Sequence, residues 1–241
     1  MSTIHFILQG KGGVGKSYIA SLLAQYQKEK SPSIKCFDTD PINKTFSQYS
    51  ALDVKKIDLL ENAKINERQF DHLITEIFSD TESNFVIDNG AASFMPLSNY
   101  LLENGVFTAL NDAGKTIYIH TIIVGGQALR DTASGLNSLA QQFGEQAKLV
   151  VWLNEFFGKI FYSGQSFEDM KVYKNNQKCI AGMITITQKT RETFGLDIEN
   201  MQKAKLTFDE AIADPKVHIM NKQRLKMTKR EIWQQLDDLF S

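Results

Sequence analysis

Cysteine and proline are scarce, with two and four in 241 residues. Cys36 and Cys179 lie far apart and belong to no paired motif, which excludes a disulfide framework. Cys36, inside an apolar run, reads as a reduced core residue. Neither sign of charge dominates. The net charge of −1 argues against a surface built as a whole to grip nucleic acid, although a local patch stays open. No hydrophobic run approaches the roughly 18 to 20 residues that cross a bilayer, so no integral membrane segment is expected. The first apolar run leads directly into a glycine-rich loop, without a charged leader or cleavage site. The four histidines, His5, His72, His120 and His218, show no paired metal-ligand spacing. These absences predict a cytoplasmic protein. The lack of repeats, linkers and low-complexity segments predicts a single domain over 1–241. With 42% apolar and 23% charged residues, the chain can build one large α/β core.

The organising stretch is Gly10-Lys11-Gly12-Gly13-Val14-Gly15-Lys16-Ser17, preceded by the apolar run Ile4-His5-Phe6-Ile7-Leu8-Gln9. Its spacing, with a strand pattern before and a helix pattern after, is that of a phosphate-binding loop, or P-loop. Converging backbone N–H groups on phosphate oxygens requires conformations that glycine adopts without steric cost. The helix opening at Lys16 aims its positive end at the same anion. Lys16 can then reach the terminal phosphates, and the Ser17 hydroxyl can ligate Mg²⁺. Gly10 to Ser17, with Tyr18 beside them, are the candidate nucleotide contacts. A purely structural glycine turn is the alternative, disfavoured by the Gly-Lys-Ser register.

Residues 16–30 read as a helix with Ile19, Leu22, Leu23 and Tyr26 on one face, stopped by Ser31-Pro32-Ser33. A short strand over 34–37 delivers Asp38-Thr39-Asp40-Pro41 at its carboxyl end, where open α/β sheets place ligand contacts. Two carboxylates beside a Mg-nucleotide can hold the metal's water shell or orient an attacking water. As turn and capping residues they would serve structure alone. Residues 51–60 suggest a strand or edge element, 67–79 a helix, and 85–90 a strand ending in Asp88-Asn89-Gly90. An apolar strand ending in aspartate is the general form of a γ-phosphate and Mg²⁺ sensor. Asp88 therefore joins Ser17 and Asp38 as a metal candidate, with Gly90 as a point of approach to the γ-phosphate. Asp-Asn-Gly is also a common turn.

A helix over 95–104, a buried strand over 116–124, a tight Gly125-Gly126 turn, a helix to about 143 and a strand over 149–154 follow. Phe156, Phe157, Phe161 and Tyr162 then fill a loop over 155–165 that suits either partner docking or partial burial over the nucleotide edge. A strand over 180–186 and helices over 206–213 and 217–240 close the chain. The last helix sets Lys222, Arg224, Lys226, Lys229 and Arg230 beside Ile232, Trp233, Leu236, Leu239 and Phe240. That pattern fits core packing with a solvated basic face, a DNA-phosphate patch, or a membrane-surface helix. Asp237 and Asp238 oppose the last of these. The sum is a doubly wound α/β fold with a mainly parallel sheet and helices on both faces.

Lys11, read together with Gly12-Gly13-Val14-Gly15-Lys16-Ser17, resembles the deviant phosphate loop of the ParA and MinD family of P-loop ATPases. The resemblance implies a homodimer formed with ATP, in which Lys11 reaches the nucleotide of the other subunit. Asp38-Thr39-Asp40-Pro41 is similar to that family's switch I. This implies that Asp40 positions the hydrolytic water and that Asp38 belongs to the Mg²⁺ network, so Lys11, Lys16 and Asp40 are the candidate catalytic residues. The chain departs from the family at Tyr18, where Thr or Ser commonly holds the α-phosphate. It departs again at Ile42-Asn43-Lys44 and at Gly90, where proline is frequent. Asn154 matches a base-contacting asparagine of relatives, which implies an adenine contact. The run Asn154-Glu155-Phe156-Phe157 lacks the Asn-Lys-x-Asp guanine reader and points to ATP.

From end to end the chain resembles the TraL-type conjugal transfer proteins. The likeness is carried by His5 to Gly10, Asp38 to Asn43, Val86 to Ala91, Gly125 to Leu129 and Val150 to Asn154. It implies an accessory ATPase of plasmid transfer or maintenance. Other transfer or partition proteins are implied as partners, and DNA at the basic C-terminal helix is a further one. A nucleotide-binding scaffold without meaningful turnover is the alternative.

Overall fold

Seven parallel strands form the central sheet of a computed structural model that describes residues 2–31 and 33–240. They are β1 (Thr3–Ile7), β2 (Ile34–Asp38), β3 (Lys55–Lys56), β4 (Asn84–Asp88), β5 (Thr116–Val124), β6 (Lys148–Asn154) and β7 (Ile180–Ile186). Their spatial order is 7-6-5-1-4-2-3, and every pairing is parallel. The helices are α1 (Lys16–Lys30), α2 (Phe70–Ser79), α3 (Phe94–Glu103), α4 (Val106–Asp112), α5 (Leu129–Phe143), α6 (Lys171–Asn176), α7 (Leu196–Lys203), α8 (Phe208–Ala213) and α9 (Ile219–Phe240).

Successive strand residues point to opposite faces, so each strand feeds two cores. Ile4 and Phe6 of β1 and Ile117, Ile119 and Ile123 of β5 pack with α2 to α5. Ile7 of β1 and Ile122 and Val124 of β5 pack with α1, α7, α8 and α9. Residues of β5 from Ile119 onward are β-branched or otherwise suited to strands and buried throughout, as expected of a parallel strand covered on both faces. α1 lies between the sheet and the C-terminal helices, with Ile19, Ala20, Leu22, Leu23 and Ala24 fully buried. Gln25 of α1 accepts the Phe208 backbone N–H (2.7 Å), and the Trp233 indole donates to Glu29 (2.8 Å).

A chain of polar side chains crosses the core beneath α1. Trp152 Nε1 donates to His120 Nδ1 at 2.9 Å, His120 Nε2 lies 2.9 Å from His5 Nδ1, and His5 Nε2 lies 3.0 Å from Thr3 Oγ1. An indole nitrogen can only donate. His120 therefore accepts at Nδ1 and carries its hydrogen on Nε2, towards His5 Nδ1, while His5 Nε2 lies against both Thr3 Oγ1 and the Gln27 carboxamide nitrogen (3.1 Å). Burial pushes the His5 pKa down to about 3 and that of His120 well below its ordinary value.

The expected helix over 16–30 and strand over 180–186 stand where the pattern puts them. The Pro32 of the expected helix stop lies outside the described residues. Residues 51–60 are not one strand. They hold a short helical turn (Ser50–Leu52), the two residues of β3, and the start of a small hairpin pairing Leu60–Glu61 with Lys64–Ile65. β3 pairs only through Phe37 and Asp38, and its lysines face solvent, so no apolar alternation marks it. The helices α4, α6 and α7 are additions to the expected set. Among the described residues, no helix is long and apolar enough to cross a membrane.

Candidate functional site

The loops after β1, β2, β4, β5 and β6 emerge at the carboxyl end of the sheet, where the strand order reverses on either side of β1. Gly10 to Gly15 connects β1 to α1, whose N-terminal cap is Gly15 at φ 100°. Only glycine holds that left-handed conformation cheaply. A Cβ there would also stand 2.9 Å from Asn154 Nδ2. Asn154, from the end of β6, donates that amide to the Val14 carbonyl at 3.0 Å and accepts the Phe156 N–H through Oδ1. The residue expected at the adenine edge is thus 4% exposed and engaged in bracing the loop from below.

Lys16 turns back into the loop. Its Nζ donates to the Lys11 carbonyl at 2.9 Å, and only 8% of the residue is exposed. Burial lowers its pKa, opposed by the charges of Asp88 and Asp40. The Ser17 hydroxyl acts on Asp88, pulling its pKa down, and Asp88 Oδ1 is buried with no hydrogen-bond partner among the described residues. Burial, with the nearby Asp38 and Asp40 charges, pushes the Asp88 carboxyl up to about 7 against the pull of Ser17 and Lys16. An ionisable oxygen left bare beside a hydroxyl suits a cation. Asp38 presents no such atom: Oδ1 accepts the Asp40 N–H (3.0 Å) and Oδ2 the Ser47 N–H (2.9 Å). Among the described residues, no cluster of three acidic, histidine or cysteine side chains could cage a metal alone.

Asp40 closes its own turn, Oδ1 accepting the N–H groups of Ile42 (2.8 Å) and Asn43 (3.0 Å). Its carboxyl lies on Gly90, where a Cβ would come within 2.5 Å of Asp40 Cγ. Glycine at 90 is therefore what lets the two strand ends meet. A buried network, absent from the sequence expectations, ties them further. Thr39 Oγ1 donates to the Asp88 carbonyl or Asn89 Oδ1, both at 3.0 Å. Ser93 Oγ lies 2.7 Å from Asn89 Oδ1 and 3.1 Å from the Thr39 carbonyl. Asn89 was visible only as a turn residue, and nothing in the sequence marks Ser93.

Lys11 extends from the loop and pairs with Asp131 of α5 at 2.7 Å, both side chains about half exposed. Tyr18 does not face the loop openly. Its hydroxyl is buried without a partner, and burial raises its pKa. Gly125 admits a close approach by the chain's own backbone, since a Cβ would meet the Lys159 carbonyl at 2.6 Å. Phe156, Phe157, Phe161 and Tyr162 are exposed rather than buried. On α9, Arg224 pairs with Asp197, and Lys229 with Glu29 and Asp209. Lys222, Lys226 and Arg230 have no acidic partner among the described residues.

No family model matches the chain. Two proteins named TraL from Escherichia coli do. One is 47% identical over 237 residues, covering 98% of each chain; the other is 45% identical over 238 residues, covering 99% of this chain and 98% of that protein. Among solved structures, the MinD cell division protein of Aquifex aeolicus superposes with a TM-score of 0.51 at 16% identity, covering 95% of both chains. A plasmid partition protein of Borrelia burgdorferi B31 bound to AMPPNP superposes with a TM-score of 0.50 at 14% identity over 99% of both. These structures share the fold, and the near-half identity to the TraL proteins over almost the full length decides the kinship: the chain belongs to the TraL family, built on the MinD- and ParA-like P-loop NTPase fold.

Proposed function

We propose that this TraL-family protein binds Mg-ATP, dimerises on it, hydrolyses it slowly, and serves as an accessory switch in plasmid conjugal transfer or maintenance. One observation carries the reading. A buried lysine with a single hydrogen-bond acceptor, Lys16, lies beside a buried carboxylate with a bare oxygen, Asp88. A Mg-triphosphate would complement both: Lys16 and the loop amides would hold its oxygens, and Asp88 Oδ1 and the Ser17 hydroxyl would hold its cation. Gly10, Lys11, Gly12, Gly13, Val14 and Gly15 supply the amide nest, and Asp38 braces the loop that carries Asp40. Mg²⁺ would supply charge neutralisation at the terminal phosphates. Tyr18, with its hydroxyl buried, contributes its backbone N–H at the start of α1.

Asp40 would orient the attacking water once its turn opens. Lys11, exposed on the loop, can exchange Asp131 for the phosphates of a second subunit. A cation inserted in trans can raise phosphoryl-transfer rates by about 10³ to 10⁵. The role in plasmid transfer rests on the TraL kinship. Cytoplasmic residence, and DNA contact through the unpaired Lys222, Lys226 and Arg230, belong to the same proposal.

Sedimentation with Mg-ATP tests the switch. Lys16→Ala is expected to abolish binding, Lys11→Ala to spare binding but weaken the dimer, and Asp40→Ala to trap the dimer. Unchanged monomer–dimer behaviour across all three refutes it. A scaffold that binds nucleotide without turnover is the second reading, favoured by the use of Asp40 Oδ1 in its own turn. Single-turnover phosphate release separates the two.

A further inference from the structure

We propose that Phe156 and Phe157 are the stacking platform for the nucleobase, and that the site therefore takes purine nucleotides with little discrimination at the base edge. The inference rests on the nucleotide-binding reading above.

Topology fixes which way a nucleotide lies. Asp38, Asp40 and Asp88 come from the ends of β2 and β4, on one side of β1, whereas Asn154 comes from β6 on the other. A polyphosphate crossing the loop after β1, with its metal-bearing end at the carboxylates, sends its nucleoside towards the end of β6. The polar groups waiting there are already engaged. Asn154 spends its amide on Val14 and Phe156. The Glu155 carboxylate, its side chain 14% exposed, accepts from Lys159 Nζ (2.7 Å) and the Gln188 N–H (3.3 Å). Asn154 is 4% exposed and held on the loop and the turn, and Glu155 is held through Oε2, so both polar groups are tied down on the protein's own backbone and Lys159.

What the same turn does offer is two aromatic rings. Phe156 and Phe157 are 58% and 51% exposed, and they meet edge to face at 5.2 Å and 85°. The Asn154 carboxamide that holds the phosphate loop also fixes the start of this turn, so the rings are positioned by the loop's own brace. A flat heterocycle laid on one ring face and against the other ring's edge gains dispersion and π contact without needing a particular donor–acceptor pattern. Base–aromatic stacking is tolerant of base identity because every base has a π-face.

Titration calorimetry with Mg²⁺ and, separately, ATP, GTP, CTP and inorganic tripolyphosphate tests this. ATP and GTP are expected to bind within about threefold of each other and CTP about tenfold more weakly, following stacking strength. Phe156→Ala and Phe157→Ala should each weaken ATP and GTP by about fivefold or more while leaving tripolyphosphate unchanged. Phe156→Leu should recover only part of the loss. Both rings are exposed, so unchanged thermal midpoints serve as the folding control. Preference for ATP over GTP by more than about thirtyfold overturns the inference and leaves nucleotide binding intact, since it requires edge readout. Unaltered nucleotide affinity in both alanine variants also overturns it, and assigns the aromatic surface to a macromolecular partner. Failure of all four ligands to bind the natural sequence overturns the nucleotide reading itself and this inference with it.

Discussion

Replacing His5 with asparagine should become less damaging as the solution is acidified. In the folded protein the Trp152 indole hydrogen points at His120 Nδ1, and His120 in turn donates to His5. A proton added to His120 would set two N–H groups head to head, and a proton added to His5 would charge a ring that is fully buried. Both rings stay neutral in the fold, whereas in the unfolded chain each titrates near 6.5. The sign follows from linkage. Below the unfolded pKa the unfolded chain binds more protons, so the stability contributed by each neutral histidine is complete above about 6.5 and is lost as pH falls towards the folded value, about 3 for His5 and well below the ordinary one for His120.

At about pH 5 the loss amounts to about 2 kcal/mol per histidine, against less than about 0.1 kcal/mol at pH 7.5. Other groups oppose this, above all Asp88, whose raised pKa stabilises the fold on acidification. Comparing each variant with the unchanged chain at the same pH cancels them. Asparagine keeps an acceptor where His5 Nδ1 stands. His5→Asn should destabilise at pH 7.5 through the lost ring, and by about 2 kcal/mol less at pH 5, the gap read by urea unfolding followed through tryptophan fluorescence. Adding His120→Asn should narrow it by about 4 kcal/mol. A stability difference that does not change with pH refutes the reasoning.

Gly90→Ala should expel the Asp40 carboxyl from its seat and break its bonds to Ile42 and Asn43. The expected loss is about 1–3 kcal/mol of stability, with single-turnover phosphate release falling as it does in Asp40→Ala; an unaffected release rate counts against the placement of Asp40. Asp131→Asn removes the partner of Lys11, but both side chains are about half exposed. Its unfolding free energy in urea should therefore change by less than about 0.5 kcal/mol, and a loss above about 1.5 kcal/mol would show the pair to be structural. Gln235→Ala uncaps the outer edge of β7, where the amide accepts from the Thr185 N–H (2.7 Å) and donates to its carbonyl (3.1 Å). Stability should fall by about 1–2 kcal/mol and light scattering on heating should rise; unchanged scattering would mean α9 alone guards the edge.

The phosphate loop, its flanking strand and helix, and the carboxylates at the ends of β2 and β4 were legible because each sits at a change of periodicity. Ile4 to Leu8 is apolar except at His5, and α1 opens abruptly at Lys16. Short or half-exposed elements were not legible. β3 shows two exposed lysines, and α6 has no buried residue to reveal a face. Partners chosen by tertiary structure were hidden as well. Asn154 could be singled out by position, but that its amide turns to Val14 depends on β6 lying two strands from β1. The Thr39–Asn89–Ser93 network unites residues from two segments, the loops after β2 and β4, whose individual types are ordinary. The basic residues of α9 read as one patch until Asp197, Glu29 and Asp209 divide it.

The strand order also dictates when, during synthesis, the site can take shape. β1 is the first strand to leave the ribosome, yet its neighbours are Phe85 to Asp88 on one side and Thr116 to His120 on the other. Until both have emerged, the glycine loop hangs from an unpaired apolar strand, and Val14 has no Asn154 to hold it before β6 arrives. A nascent chain of this topology keeps β1 without both of its neighbours while β2 to β5 are made. That interval is where chaperone contact would be concentrated.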